Sequence, residues 1–162
     1  MSTQTPSAQH PVPGTGEVPE LDAWVGLLRA HAAATRRFNR ELIAEHGLTI
    51  NDFEVLMHLE SAEGGRLRRV DLAERVLLTA SGITRLLDGL ERCDLVRKAS
   101  CAADARVTYA EITDAGRTRL ADARTSHLEG VHTLFADRFS EAELITLVAL
   151  LGRLPQGPAC PG

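Results

Sequence analysis

Aromatic side chains are scarce in this 162-residue chain: one tryptophan, one tyrosine and four phenylalanines, 4% of the whole. A core of ordinary size must then be built from Leu, Val, Ile and Ala, which suits packed helices better than a sheet sandwich. Cysteine occurs three times, at Cys93, Cys101 and Cys160. That odd number and those unrelated spacings indicate neither a disulfide framework nor a zinc site. No apolar run approaches the roughly 20 residues of a membrane span, and residues 1–20 lack the charged and apolar regions of a secretory signal. The expectation is a cytoplasmic protein with no membrane partner. Glycine-rich phosphate loops, nucleophile elbows and paired-carboxylate signatures are missing too, so no enzyme is expected. The six histidines, His10, His31, His46, His58, His127 and His132, are scattered. His127 and His132 are five apart instead of the three or four that share a helix face, so neither a metal nor another cofactor is expected.

The net charge of −4 hides an asymmetry. Residues 66–106 hold nine basic and six acidic side chains, a local charge of +3, and the remainder carries −7. Segregation of this kind suits a domain that presents one face to a polyanion and repels it elsewhere.

Prolines and glycines crowd the first 20 residues and the stretch 155–162; both are read as disordered tails that cannot bury enough surface to offset their ordering entropy. Between them the apolar spacing predicts a long first helix over 21–47, with Leu21, Val25, Leu28, Phe38, Leu42 and Ile43 in register until Gly47. A second helix is expected over about 51–61, an extended Arg66-Leu67-Arg68, and a third helix over 69–76. In a fourth, over 80–93, Ile83, Leu86, Leu87 and Leu90 form one apolar stripe, leaving Ser81, Arg85, Asp88 and Arg92 on the opposite side. Thr79 is placed to cap it, and a tight turn at Leu77-Leu78 makes the third and fourth helices a candidate helix-turn-helix. Residues 95–100 and 106–112 pair as a hairpin, Thr113 caps a fifth helix to about 136, and Ser140 caps a sixth to about 154.

This order of elements, with "LTINDFEVLMHL" at 48–59, "RVDLAERVLLTASGITRLLDGLERCDLV" at 69–96 and "DARVTYAEITDAG" at 104–116, resembles the MarR family of winged helix-turn-helix transcription regulators. The resemblance implies a mainly α fold with a small β-hairpin wing. A DNA-binding lobe over 48–112 lies between dimerisation helices at 21–47 and 113–154. It also implies a homodimer on double-stranded DNA at a palindromic operator, a regulator of the repressor type, and relief by a small aromatic acid or phenol. Three positions depart from the family's habit: Asp94 stands where glycine is usual, Ala105 where a second basic residue is common, and Ser100 and Ala102 where prolines stiffen the wing.

The DNA-contacting set is Thr79, Ser81, Gly82, Thr84 and Arg85 at the start of the fourth helix, Lys98 at the root of the wing, and Asp104 and Arg106 at its tip. Arg85 suits the O6 and N7 of a guanine. Thr79, Ser81 and Thr84 are short donors for phosphates or base edges, Gly82 allows close backbone approach, and Arg106 suits a narrow minor groove with Asp104 orienting it. Arg68 and Arg69 open the third helix, where a phosphate contact and a solvated role are equally open. For the effector the candidates are Trp24, His31, Phe38 and His58. Two alternative readings are a redox-responsive regulator acting through Cys101, near Lys98 and Arg106 in sequence, and a winged-helix module that binds protein.

Overall fold

The computed structural model describes residues 18–76, 78–100 and 108–155. Helix α1 spans Pro19–His46, α2 Ile50–Ser61, α3 Arg69–Arg75, α4 Ala80–Arg92, α5 Asp114–Ala136 and α6 Glu141–Leu151; strands β1, β2 and β3 are Arg66–Arg68, Val96–Ser100 and Thr108–Ile112. The chain divides into two compact units, Met1–Arg36 and Arg37–Gly162.

The described part of the first unit is the N-terminal portion of α1. It begins at Pro19, so Pro19 and Glu20 are helical where a tail to residue 20 was expected. Proline suits a first helical position because its missing N–H would lack a partner there anyway, and Glu20 and Asp22 favour the positive end of the helix dipole. Leu21, Trp24, Leu27 and Leu28 are all exposed.

The second unit contains the last part of α1 and every later element. The last ten residues of α1, from Arg37, belong with the later elements through packing. Phe38 and Leu42 are buried, and Leu42 joins a core of Leu48, Phe53, Val55, Leu56, Leu59, Leu72, Ile83, Leu87, Leu90, Val96, Leu120 and Ala123. Each large aliphatic buried in this way contributes roughly 1.5–3 kcal/mol. Leu120 and Ala123 belong to α5, so that helix shares the lobe's core instead of standing apart from it. Helix α2 starts with a capping box, Thr49 accepting from the Asp52 N–H and Asp52 accepting from the Thr49 N–H.

The sheet has three strands in the order β1-β3-β2, all antiparallel. Three residues of β1 are too few to show a period, which is why the sequence predicts only extended chain there. Its partner β3 alternates, with Ala110 and Ile112 buried opposite Leu67 and Val96.

Helix α4 ends in a left-handed residue, as the Asp94 position predicts: Asp94 has φ 58°, with Leu95 N–H donating to Leu90 O at 2.9 Å and Asp94 N–H to Glu91 O at 3.0 Å. Helix α5 is then seated on that turn. Thr113 N–H donates to Leu95 O at 3.1 Å, Thr113 Oγ1 donates to Asp94 O at 2.6 Å, and the same hydroxyl accepts the Gly116 N–H at 2.9 Å. Gly116 is obligatory here, because a Cβ would overlap the Leu95 carbonyl oxygen and lie 2.9 Å from Ile112 Cγ1.

Two substitutions at this junction are expected to act with opposite sign. Gly116→Ala forces a backbone shift and lowers stability by about 2–4 kcal/mol. Asp94→Gly relieves the left-handed residue and raises stability by up to about 1 kcal/mol. Thermal melts at one fixed protein concentration check both.

Candidate nucleic-acid interface

Helix α4 has two unlike faces. Ile83, Leu87 and Leu90 are 1–3% exposed, which seats the helix, while Ser81 and Arg85 are exposed on the other side with Thr84 and Asp88 half-buried beside them. The first turn is fixed by Thr79, whose hydroxyl accepts the Gly82 N–H at 3.1 Å. This places Thr79 in a capping role. Gly82 serves that cap as well, since a Cβ there would stand 3.1 Å from Thr79 Oγ1 and 3.7 Å from Leu78 Cβ.

Thr84 is similarly engaged. Its hydroxyl donates to Ala80 O at 2.8 Å and accepts from Arg69 Nη1 at 3.4 Å, so Thr84 ties the start of α3 to α4. Arg85 lies back along its own helix, Nε donating to Ser81 O at 3.4 Å. That leaves Ser81 and Arg85 as the exposed polar pair of the first two turns.

Lys98 does not stand alone at the wing root. Its ammonium lies 2.7 Å from Asp88 Oδ1 and 3.0 Å from Glu91 Oε2, which pins β2 to α4. The hydrogen bonds to Asp88 and then Glu91 raise the Lys98 pKa, and the Lys98 hydrogen bond lowers that of Asp88. Sequence reading missed this lock, although Asp88 and Glu91 sit three apart on one helix face. Arg97 and Glu111 are register partners across β2 and β3, and Arg97 Nη2 donates to Glu111 Oε1 at 2.6 Å. Arg68 is committed to Asp71 through two bonds of 2.7 Å, and Arg69 to Thr84. Asp104, Arg106 and Cys101 lie outside the described residues.

Of the four effector candidates, Trp24 and His31 lie in the first unit and Phe38 and His58 in the second. A cleft of the second unit, about 270 Å³, is lined by Arg37, Phe38, Glu41, Glu45, His127 and Glu129 among others; Phe38 borders it and His58 does not. Trp24 and His31 are exposed on α1, and His31 is within 3.5 Å of Thr35 Oγ1. His58 is 2% exposed, a core residue of α2. The residue that sequence reading missed is His127, whose ring meets Phe38 edge-on at 4.8 Å and Phe53 at 5.0 Å.

Helices α3 and α4, followed by β2 and β3 of the antiparallel sheet, define a winged helix-turn-helix protein. Comparison with known proteins agrees. The MarR family profile matches residues 46–107. The transcriptional repressor YetL of Bacillus subtilis is 33% identical over 111 residues, 68% of this chain and 66% of YetL, so the alignment spans just under two thirds of that relative. Among solved structures, the MarR family regulator AbsC of Streptomyces coelicolor is 28% identical, with TM-score 0.73 over 88% of this chain and 93% of that one. Sco3205 of the same organism, solved in complex with DNA, shares the fold at 23% identity, with TM-score 0.75 over 90% of this chain and 89% of that one. The chain belongs to the MarR family, whose members are transcriptional regulators and not enzymes.

Burial pulls the His58 imidazole below the ordinary histidine range, with Arg75 adding to the effect. It does the same to His127, against an opposing pull from Glu41. Both Nδ1 atoms are sealed without a hydrogen-bond partner among the described residues. Above about pH 6.5 neither the folded nor the unfolded chain protonates these rings; below it the unfolded chain takes up protons that the folded one resists. Stability therefore falls as pH drops below about 6.5 and stops falling on this account once the folded rings titrate. Urea midpoints at about pH 7.5 and 5 are expected to differ less in His58→Leu and His127→Leu than in the parent.

Proposed function

We propose that this chain is a homodimeric, sequence-specific DNA-binding repressor that places α4 of each protomer in successive major grooves of a palindromic operator. The observation that carries this reading is the exposed Ser81 and Arg85 on a helix whose other face is locked into the core. A helix held in this way can present side chains to base edges at fixed height, and a guanidinium in its second turn is suited to a guanine. YetL, named as a repressor, and Sco3205, solved with DNA, support the same reading. Two-fold pairing is supported by α6, which has no buried residue although Ile145 and Val148 are 64% and 71% exposed. Apolar surface of that kind calls for a covering partner, and a second copy doubles the sequence information that one short helix can read.

Relief by a small molecule is the second half of the proposal, with the Phe38 cleft as its place. Glu41, Glu45 and Glu129 on its walls disfavour an anionic aromatic acid and favour an uncharged phenol. Trp24, His31 and His58 are not part of this proposal.

Fluorescence anisotropy with duplexes from the gene's own upstream region tests it. Arg85→Gln is expected to weaken the preferred duplex by about 5- to 150-fold, corresponding to roughly 1–3 kcal/mol, with a much smaller effect on random sequence. Val148→Glu is expected to shift sedimentation from dimer to monomer and to abolish tight binding. Equal affinity for all duplexes, or a monomeric parent, contradicts the reading.

A further inference from the structure

Strand β1 is an edge of the sheet, with β3 on one side and, among the described residues, no strand on the other. Beside it opens a cleft of about 730 Å³, walled by Glu63 of the turn before β1, Arg66 and Leu67 of β1, Arg75 at the end of α3, and Tyr109 and Glu111 of β3. None of these residues borders the Phe38 cleft, and none belongs to α4. We infer that this cleft and the β1 edge dock an extended acidic segment of a partner protein, its carboxylates paired with Arg66 and Arg75.

The Arg66 guanidinium lies over the Tyr109 ring, 5.4 Å from the centroid. Stacking engages the face of a guanidinium and leaves its N–H donors, which lie in the plane, unused. Arg66 and Arg75 are both exposed, and neither forms an ion pair with another described residue. Their neighbours are already committed, Arg68 to Asp71 and Arg97 to Glu111. A fork of donors fixed in direction and lacking an acceptor suits a carboxylate held by two parallel bonds, and stacking has already removed part of the side-chain entropy that pairing would cost.

The charges of the cleft favour a peptide over a nucleic acid. Glu111 is answered by Arg97 at 2.6 Å, which leaves two guanidiniums against the exposed Glu63 carboxylate, an excess of one positive charge. Consecutive phosphates would meet Glu63, whereas a peptide can place acidic side chains at the guanidiniums and an uncharged one at Glu63. Its backbone also supplies N–H and C=O groups at the spacing of an edge strand, which a nucleic acid lacks. Leu67, half-buried against the core, offers an apolar contact between the charged ones. The segment comes from another protein, because the residues outside the described part of this chain include two acids only, Glu17 and Asp104, too far apart in sequence to form an acidic run.

The test uses the full-length protein with isotope-labelled tyrosine, since Tyr109 is the one tyrosine of the chain, and an end-blocked nonapeptide of alternating Val and Glu. The peptide is expected to shift the Tyr109 ring resonances and to saturate; with Gln in place of Glu it is expected to bind about ten-fold more weakly. Arg66→Gln and Arg75→Gln are each expected to weaken the acidic peptide by about three- to ten-fold. Glu63→Gln is expected to tighten it by about two- to three-fold. Thermal midpoints near the parent's establish that the variants are folded. Unmoved Tyr109 resonances, equal binding of the Gln peptide, or unchanged binding after both arginines are replaced overturn the inference. So does a random-sequence duplex that Arg75→Gln weakens as much as it weakens the peptide, because the cleft is then a nucleic-acid surface.

Discussion

The carbonyl oxygen of Leu95 receives the Thr113 N–H, and the Thr113 hydroxyl bridges the Asp94 carbonyl to the Gly116 N–H. Through these bonds the C-terminal turn of α4 and the first turn of α5 become one rigid piece. Nothing larger than a hydrogen fits at Gly116, and a left-handed residue is required at Asp94. The hairpin leaves from one side of this junction and returns to the other, so the direction of the sheet is set by it as well. Because α5 contributes Leu120 and Ala123 to the core, the orientation of α4 is inherited from the whole lobe.

With its C-terminus fixed, α4 is braced at two further places: Thr79 and Gly82 close its N-terminal turn, and Lys98 ties its middle to β2. A reading helix needs this treatment, because side chains discriminate bases only when their backbone is held at a fixed height above the groove. The division of labour along α4 follows. Positions facing inward carry stability, the capping residues carry local order, and Ser81 and Arg85 stay exposed, free for the recognition proposed above. The acidic remainder of the chain then opposes misplaced contact with a polyanion, and the charge asymmetry of residues 66–106 acquires a physical meaning.

Much of this was legible in the sequence. The apolar stripe of α4 and the caps Thr79, Thr113 and Ser140 follow from local rules with short reach, and the left-handed site at Asp94 was indicated by the family resemblance. What escaped depends on residues far apart in the chain. Strand β1 is too short to carry a period, and its pairing with β3 joins residues some forty positions apart. The Asp88–Lys98 lock and the Arg69–Thr84 bond need the third dimension before either partner looks special. The tight fit of Gly82 against the Thr79 hydroxyl likewise appears only in the folded turn. His58 illustrates the converse difficulty: its polar character suggested a ligand contact, yet its place in α2 between Met57 and Leu59 put it in the core, where burial of an imidazole is tolerated only in the neutral form.

The central claim is that a pre-formed α4, held by the Asp94–Gly116 junction, enters the major groove without rearrangement. A crystal structure of the protein on a duplex from its own upstream region tests it most directly. The account predicts Ser81 and Arg85 of each protomer at base edges and the Leu95–Thr113 bond unchanged. A duplex bound elsewhere, or an α4 that reaches the groove only after that bond has broken, would contradict it.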